Sequence, residues 1–224
     1  FKLDWSGGYL RVVAFVQKNW SDRATRVFSV DWRDPAAPVP YDTVDKGALE
    51  LAPGESLYAS RFAGDIAYVV TFLTKDPLFV VSFAADPSRP AMLGQCSPPG
   101  YSTHIEPISG AGGERLLFAV GIENGRTKAS VFDVSDSGAP SESGAVFLGE
   151  AWSYSTANWD WKRLNHLSAM KAFAIPFYEY DYARGTGGYA VAIVSYATGS
   201  PVQVCELPDS GDVERTIAAG ADLV

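Results

Sequence analysis

A short proline-bracketed turn recurs along these 224 residues and carries its surroundings with it. Asp34-Pro35-Ala36-Ala37-Pro38 returns as Asp86-Pro87-Ser88-Arg89-Pro90, then as Asp136-Ser137-Gly138-Ala139-Pro140, and last as the remnant Thr198-Gly199-Ser200-Pro201. Each copy follows an apolar, β-branched or aromatic run: Val27 to Asp31, Leu78 to Phe83, Ala129 to Val134 and Ala190 to Tyr196. The interval of about 50 to 60 residues is that of four-stranded propeller blades, not of helical solenoids. Proline at both ends of the turn fixes φ and removes two N–H donors, so the turn lies outside the ladder. Its aspartate accepts a bond from its own turn backbone.

The second repeat shows the unit most plainly. Leu57 to Phe62 alternates, Ala63-Gly64-Asp65 turns, and Ile66 to Phe72 is a nearly continuous apolar run. Lys75-Asp76-Pro77 turns again into the apolar Leu78 to Phe83, and Ala91 to Cys96 is a last, mixed strand. Two apolar strands between two mixed ones predict an antiparallel meander whose middle strands are covered on both faces. Second strands align at Tyr9 to Val16, Ile66 to Phe72, Leu116 to Ile122, Ala172 to Phe177 and the opening at Asp222 to Val224. First strands share an aromatic-small-hydroxyl pattern, Tyr58-Ala59-Ser60, Tyr101-Ser102-Thr103 and Tyr154-Ser155-Thr156. The prediction is an all-β chain, a β-propeller of four four-stranded antiparallel blades plus the start of a fifth. The blades fall at about 1–52, 53–98, 99–149 and 150–208, with the next opening over 209–224. Phe1 to Trp5 reads as a strand already under way, so the expectation is an excerpt of a larger propeller.

A net charge of −8 and a pI near 4.7 argue against nucleic acid and anionic membranes, which need a basic footprint. No window has the length of a transmembrane helix, and Phe1 opens without a signal-peptide pattern. The cysteines, Cys96 and Cys205, fall on the strand after the repeated turn in the second and fourth repeats. Equivalent strands of non-adjacent blades lie beyond the Cα separation of about 4.4 to 6.8 Å that a disulfide requires. Two mostly buried thiols outside any disulfide are expected.

Gly54-Glu55-Ser56-Leu57-Tyr58-Ala59-Ser60-Arg61-Phe62, Gly64-Asp65-Ile66-Ala67-Tyr68-Val69-Val70-Thr71-Phe72 and Asp76-Pro77-Leu78-Phe79-Val80-Val81 resemble the core signature of a bacterial family of secreted proteins. Its members carry a C-terminal β-propeller domain distantly related to WD repeats. Pro99-Gly100-Tyr101-Ser102, Val131 to Asp136 and Ser153-Tyr154-Ser155 continue the likeness in order, and Gly7 to Val12 and Val213 to Ile217 extend it to both ends. The resemblance implies a propeller, a secreted or cell-envelope location, and a possible lipid or membrane anchor on an N-terminal region outside this chain. It brings no catalytic residues. The chain departs from the pattern after Ser155, where Trp159-Asp160-Trp161-Lys162-Arg163-Leu164-Asn165-His166 stands in place of a shorter connection.

That insertion is the first candidate site. Trp159, Asp160, Trp161, Lys162 and His166 follow closely on Trp152 and Tyr154, and aromatic faces beside hydrogen-bonding groups hold sugars and peptide segments. The competing reading folds the tryptophans back as a structural cap. By analogy with other propellers, the first-strand polar residues Ser60, Arg61, Thr103, His104, Glu106, Thr156 and Asn158 face or rim a central channel, with Arg61, His104 and Glu106 chemically foremost. Interblade hydrogen bonds would account for the same residues. Tyr178-Glu179-Tyr180-Asp181-Tyr182 through Gly188 reads as a second long loop whose Glu179 and Asp181 could ligate calcium, although the Asp-x-Asp-x-Asp density of dedicated sites is absent. No other cofactor is indicated.

Two histidines exclude a zinc site built of several imidazoles, and no Cys-x-x-Cys or His-Glu-x-x-His occurs. Nor is there a Gly-x-Ser-x-Gly elbow, a P-loop, a dinucleotide fingerprint or a sialidase-type Ser-x-Asp box. Gly110-Ala111-Gly112-Gly113 leads into a strand and reads as a turn, not a phosphate cradle. The sequence therefore favours an exported, non-catalytic binding or scaffold module for a protein or a cell-surface polymer. The alternative is a polysaccharide or peptidoglycan hydrolase using carboxylates such as Glu106 and Asp160. A purely structural role, completing a larger ring, is the third.

Overall fold

Ile66–Phe72 and Leu78–Ser82 are buried along nearly their whole lengths, so both faces of these strands must be covered. They are the middle of a four-stranded sheet in a computed structural model that describes residues 2–19, 22–72, 77–213, 216, 218–219 and 222–223. The predicted turn at Lys75-Asp76 lies outside the described residues, as do Val224 and Glu214, Arg215 and Ile217 of the terminal motif. No α-helix occurs among the described residues; short 3-10 turns are the only helical segments.

The strands form four antiparallel meanders and the opening of a fifth. The first sheet runs β1 (Leu3–Ser6), β2 (Tyr9–Asn19), β3 (Asp22–Asp31) and β4 (Val39–Pro40), with β5 (Leu49–Leu51) also on β3. The second runs β6 (Ser56–Ala63), β7 (Ile66–Phe72), β8 (Leu78–Ser82) and β9 (Ala91–Cys96). In the third, β10 (Tyr101–Ser109), β11 (Arg115–Glu123), β12 (Arg126–Asp133) and β13 (Ser141–Phe147) follow in order. The fourth has β14 (Trp152–Tyr154) and β15 (Asn165–Leu167) on β16 (Ala172–Asp181), then β17 (Thr186–Ser195) and β18 (Val202–Asp209). A two-stranded pair, β19 (Ala218–Ala219) and β20 (Asp222–Leu223), opens the fifth. Gly110 to Gly113 closes the β10–β11 turn, as the sequence indicates.

The chain divides into two compact units. Residues 1–99 with 136–140 form one, and residues 100–135 with 141–224 form the other. The first unit packs two sheets around Val13, Val27, Val69, Val81 and Phe83. Beside that core Arg11 is 4 % exposed. Its guanidinium pairs with Asp4, meets Asp65 at 3.3 Å, donates to the Gly64 carbonyl at 2.9 Å, and lies 5.4 Å from the ring centres of both Phe62 and Phe83. A buried charge with this many partners locks the β6–β7 turn to the first sheet. The second unit packs its two sheets around Phe118, Val131, Phe173, Ile175 and Val194, with Phe118 and Phe173 stacked at 4.0 Å. Lys128 is buried there between Glu123 and Glu142, each 2.9 Å from its ammonium.

Each of the later proline-bracketed turns reaches back to the sheet before its own. In the first unit the Pro87 carbonyl accepts from Ser29 at 2.6 Å, and a Cβ on Gly47 would stand 2.6 Å from the Ser88 carbonyl. The Asp136–Pro140 turn belongs to the same unit, and its Ser137 and Gly138 carbonyls would stand 2.6 and 2.5 Å from a Cβ on Gly94 of β9. In the second unit Ser200 donates to the Ser143 carbonyl at 3.0 Å, and Pro201 lies over Gly144 of β13. In the turns beginning at Asp34 and Asp86, the aspartate accepts from the backbone N–H two residues on, and so does Asp136.

Two expectations need correction. The stretch from Tyr178 to Gly188 is no loop, since β16 and β17 continue through it and pair from Ala172↔Ser195 out to Asp181↔Thr186. Alternating Tyr, Glu, Tyr and Asp satisfy a half-exposed strand as well as they satisfy a loop. Neither cysteine forms a disulfide, but the thiols are not mostly buried: Cys96 is half-buried and Cys205 exposed. Both lie on the fourth, edge strand of their sheets, where side chains meet water.

Candidate functional site

The first strand of the fourth sheet is broken, and the break has a local cause. In the second and third sheets the first strand carries a one-residue bulge, between Leu57 and Ala59 and between Ser102 and His104. In the fourth, Tyr154 pairs with Tyr178 and the strand resumes only at Asn165, opposite Ala174. Pro176 stands in that gap. Its carbonyl accepts from the Ser155 hydroxyl at 2.6 Å, so this side of the residue faces the first strand. Backbone N–H and C=O of one strand residue point the same way, and proline has no N–H to offer there. The ladder cannot continue, and residues 155–164 leave it as an enlarged bulge.

The bulge supplies its own hydrogen bonds. Ser155 also accepts from Ala157 N at 3.1 Å, and Asp160 Oδ1 accepts from Lys162 N at 3.1 Å, each starting a 3-10 turn. Asn158, nearly buried, accepts from Thr103 on β10 at 2.9 Å. Outside stand Trp159, 66 % exposed, and Trp161, 46 % exposed, together with Asp160 and Lys162. Trp159 lies 6.5 Å from the Tyr154 ring, which is parallel to Trp152 at 6.4 Å, and Trp152 meets Tyr178 edge-on. Tyr178 and Tyr189, paired directly across β16 and β17, have ring centres 4.8 Å apart.

The three tyrosines line a cavity of about 250 Å³ together with Thr156, Pro176, Phe177, Asp212 and Val213. Arg163, from the end of the bulge, stands behind it. One of its guanidinium nitrogens is 3.7 Å from Asp212, 3.4 Å from Thr156 and 3.5 Å from the Val213 carbonyl. Asp160 lies 4.0 Å from the same guanidinium. The tryptophan-rich segment thus adjoins a preformed pocket. Tyr189, Arg163 and Asp212 escaped the sequence reading; the register of the Tyr178–Gly188 hairpin would have revealed Tyr189, and Pro176 would have marked the bulge.

His166 turns the other way. Its ring stacks on Phe173 at 4.4 Å and its Nε2 is 2.7 Å from the Tyr196 hydroxyl. Burial pushes His166 below the ordinary imidazole value, with the nearby Glu106 carboxylate pulling upward, and burial raises Tyr196. Glu106 pairs with Phe118 across β10 and β11, and Phe118 stacks on the ring under His166, which brings both histidines to one carboxylate. His104 Nε2 is 3.7 Å from Glu106. His104, Glu106 and His166 thus form one group of neighbours, and Asp160, Lys162 and Arg163 another. Glu106 belongs to the first group and Asp160 to the second. Arg61 stands in the first unit, opposite Tyr68 on β6 and β7.

Glu179 and Asp181 sit two apart on β16. Glu179 accepts from Glu150 N at 3.0 Å; Asp181 accepts from Ala183 N and Arg184 N and lies 3.4 Å from the Arg184 guanidinium. With Glu150, Arg184 and Thr186 they line an open cleft of about 260 Å³. Among the described residues no three His, Cys, Asp or Glu are grouped as a metal would need. No helix among them is long and apolar enough to cross a membrane.

The chain is similar to an uncharacterised protein of Methanocaldococcus jannaschii, 34% identical over 189 residues, 81% of this chain and 27% of that one. An uncharacterised protein of Archaeoglobus fulgidus is 32% identical over 160 residues, 70% of this chain and 23% of that one. The chain thus spans about a quarter of the length of these archaeal relatives. A solved Bacteroides fragilis structure, named for a suspected 6-phosphogluconolactonase, is 13% identical with a TM-score of 0.46, over 90% of this chain and 58% of that one. A likeness of that degree carries no chemistry with it. Of the family resemblance only the propeller part is supported, by the family model; the relatives are archaeal, and bacterial origin and secretion are not shown. The family model described as "Beta propeller domain" matches residues 1–213, and the chain belongs to that family.

Proposed function

We propose that this chain is the binding part of an exported, non-catalytic propeller, and that it holds a partner at the broken first strand of its fourth sheet. One observation carries the reading. The bulge at residues 155–164 satisfies its own backbone and still leaves Trp159 and Trp161 in water beside an aromatic-lined pocket. Large aromatics held substantially in water are characteristic of recognition surfaces. Export rests on the resemblance to secreted propeller proteins. The hydrolase alternative would pair Glu106 with Asp160; here Glu106 faces His104, while Asp160 accepts from Lys162 N and faces Arg163.

The test is retention of a cell-envelope fraction from the native source on the immobilised chain. Trp159→Ala and Trp161→Ala are expected to lose retention while keeping the wild-type melting temperature. Loss of the melting transition in either variant would make the bulge a structural cap and end the proposal.

A further inference from the structure

The pocket beside the bulge is specific enough in size, charge and shape to name what it takes, given the binding role just proposed. Its volume, about 250 Å³, falls just under the range of about 300–1,000 Å³ that accommodates drug-sized ligands, which restricts it to one small ring. Its lining is mostly aromatic and apolar, with Tyr154, Tyr178, Tyr189, Phe177, Pro176 and Val213, joined by two hydrogen-bonding side chains, Thr156 and Asp212.

Charge narrows the choice. A tyrosine cage with a free carboxylate is suited to a quaternary ammonium. Here the carboxylate is not free, because Arg163 stands 3.7 Å from Asp212 and 3.4 Å from Thr156, placing a positive charge where a ligand cation would need none. An anion would meet Asp212 and a chain of net charge −8. What fits is a neutral ring with apolar faces for the tyrosines and hydroxyls at its edge for Asp212 and Thr156. We infer that the pocket binds one neutral pyranose unit of a polysaccharide, with Trp159 stacking on the next unit of the same polymer. Trp159 is placed for this, exposed over two thirds of its surface and 6.5 Å from the Tyr154 ring that walls the pocket.

The experiment is titration of the chain with neutral tetrasaccharides of differing linkage (cello-, malto-, manno- and fully N-acetylated chito-tetraose) and with their monosaccharides, followed by tryptophan fluorescence and calorimetry. At least one tetrasaccharide is expected to bind. Asp212→Asn should weaken it about tenfold, equivalent to about 1.4 kcal/mol, and so should Trp159→Ala. The matching monosaccharide should respond to Asp212→Asn and ignore Trp159→Ala, a split that a merely unfolded variant cannot give. Binding unaffected by both substitutions, or tetramethylammonium bound in place of sugar, overturns the inference. If no sugar binds while envelope material is still retained through Trp159, the sugar assignment falls and the binding role stands. If neither binds, both fall.

Discussion

The second and fourth sheets are built from the same repeat and differ at one strand. In the second, β6 runs unbroken from Ser56 to Ala63 with a single bulge, and its edge is used up in pairing with β7. In the fourth, the same position is widened to residues 155–164, and Pro176 on the facing strand is the reason the ladder does not close. The core of the fourth sheet is undisturbed, with Ile175 and Phe177 almost fully buried on either side of Pro176. A propeller repeat therefore tolerates a rebuilt edge strand so long as the middle strands stay intact. Chemistry can be placed on the edge without cost to the core.

The comparison predicts a graded series. Phe173→Ala removes the ring stacked between Phe118 and His166, and should cost about 3–5 kcal/mol in urea unfolding. A much smaller loss would mean that the fourth sheet's middle is not the common core claimed for it. Next comes Gly94→Ala, whose methyl would press on two backbone carbonyls of the 136–140 turn, at about 1–3 kcal/mol. Gly144→Ala meets Pro201 and Ser200 at 3.3 to 3.4 Å and should cost less than Gly94→Ala; the reverse order would refute the seating of the turns.

Ser155→Ala takes the hydroxyl from the Pro176 carbonyl and from Ala157 N, and is expected to lose about 1–3 kcal/mol. The pH dependence is subtler. The folded chain keeps His166 neutral to a lower pH than the unfolded chain does, so unfolding takes up a proton as pH drops through about 6.5. Stability should fall across that window and level off below the folded value, and His166→Gln should flatten the profile. A profile unchanged by the substitution would place the titration elsewhere. The smallest effect is that of Trp159→Ala on stability, within about 0.5 kcal/mol.

Much of the fold was legible because the middle strands advertise themselves. Ile66 to Phe72 and Ala91 to Cys96 were delimited from sequence to the residue, one by continuous apolarity and the other by the turn before it. Where polar and aromatic residues alternate, as in Tyr178 to Tyr182, a strand and a loop look alike, and the hairpin was missed. Of the site, the tryptophan-rich break was visible as a departure from the repeat. The pocket was not, since it depends on Tyr189 arriving opposite Tyr178 and on Asp212 arriving from the far end of β18. Cys205 was misplaced for a related reason. Burial on an edge strand depends on what covers the edge, which no local pattern records.

The backward reach of the proline-bracketed turns bears on the order in which such a chain acquires its structure during synthesis. The seat at Gly94 receives carbonyls from residues 137 and 138, and the seat at Gly144 receives Pro201. Each sheet thus leaves the ribosome with its outer strand made and its seat vacant, and waits most of a repeat for the turn that fills it. Gly94 pairs with Val80 and Gly144 with Val131, each next to the one-residue bulge of the fourth strand, and in the fourth sheet Cys205 holds that place opposite Ile193. A side chain there takes the room that glycine leaves for the turn.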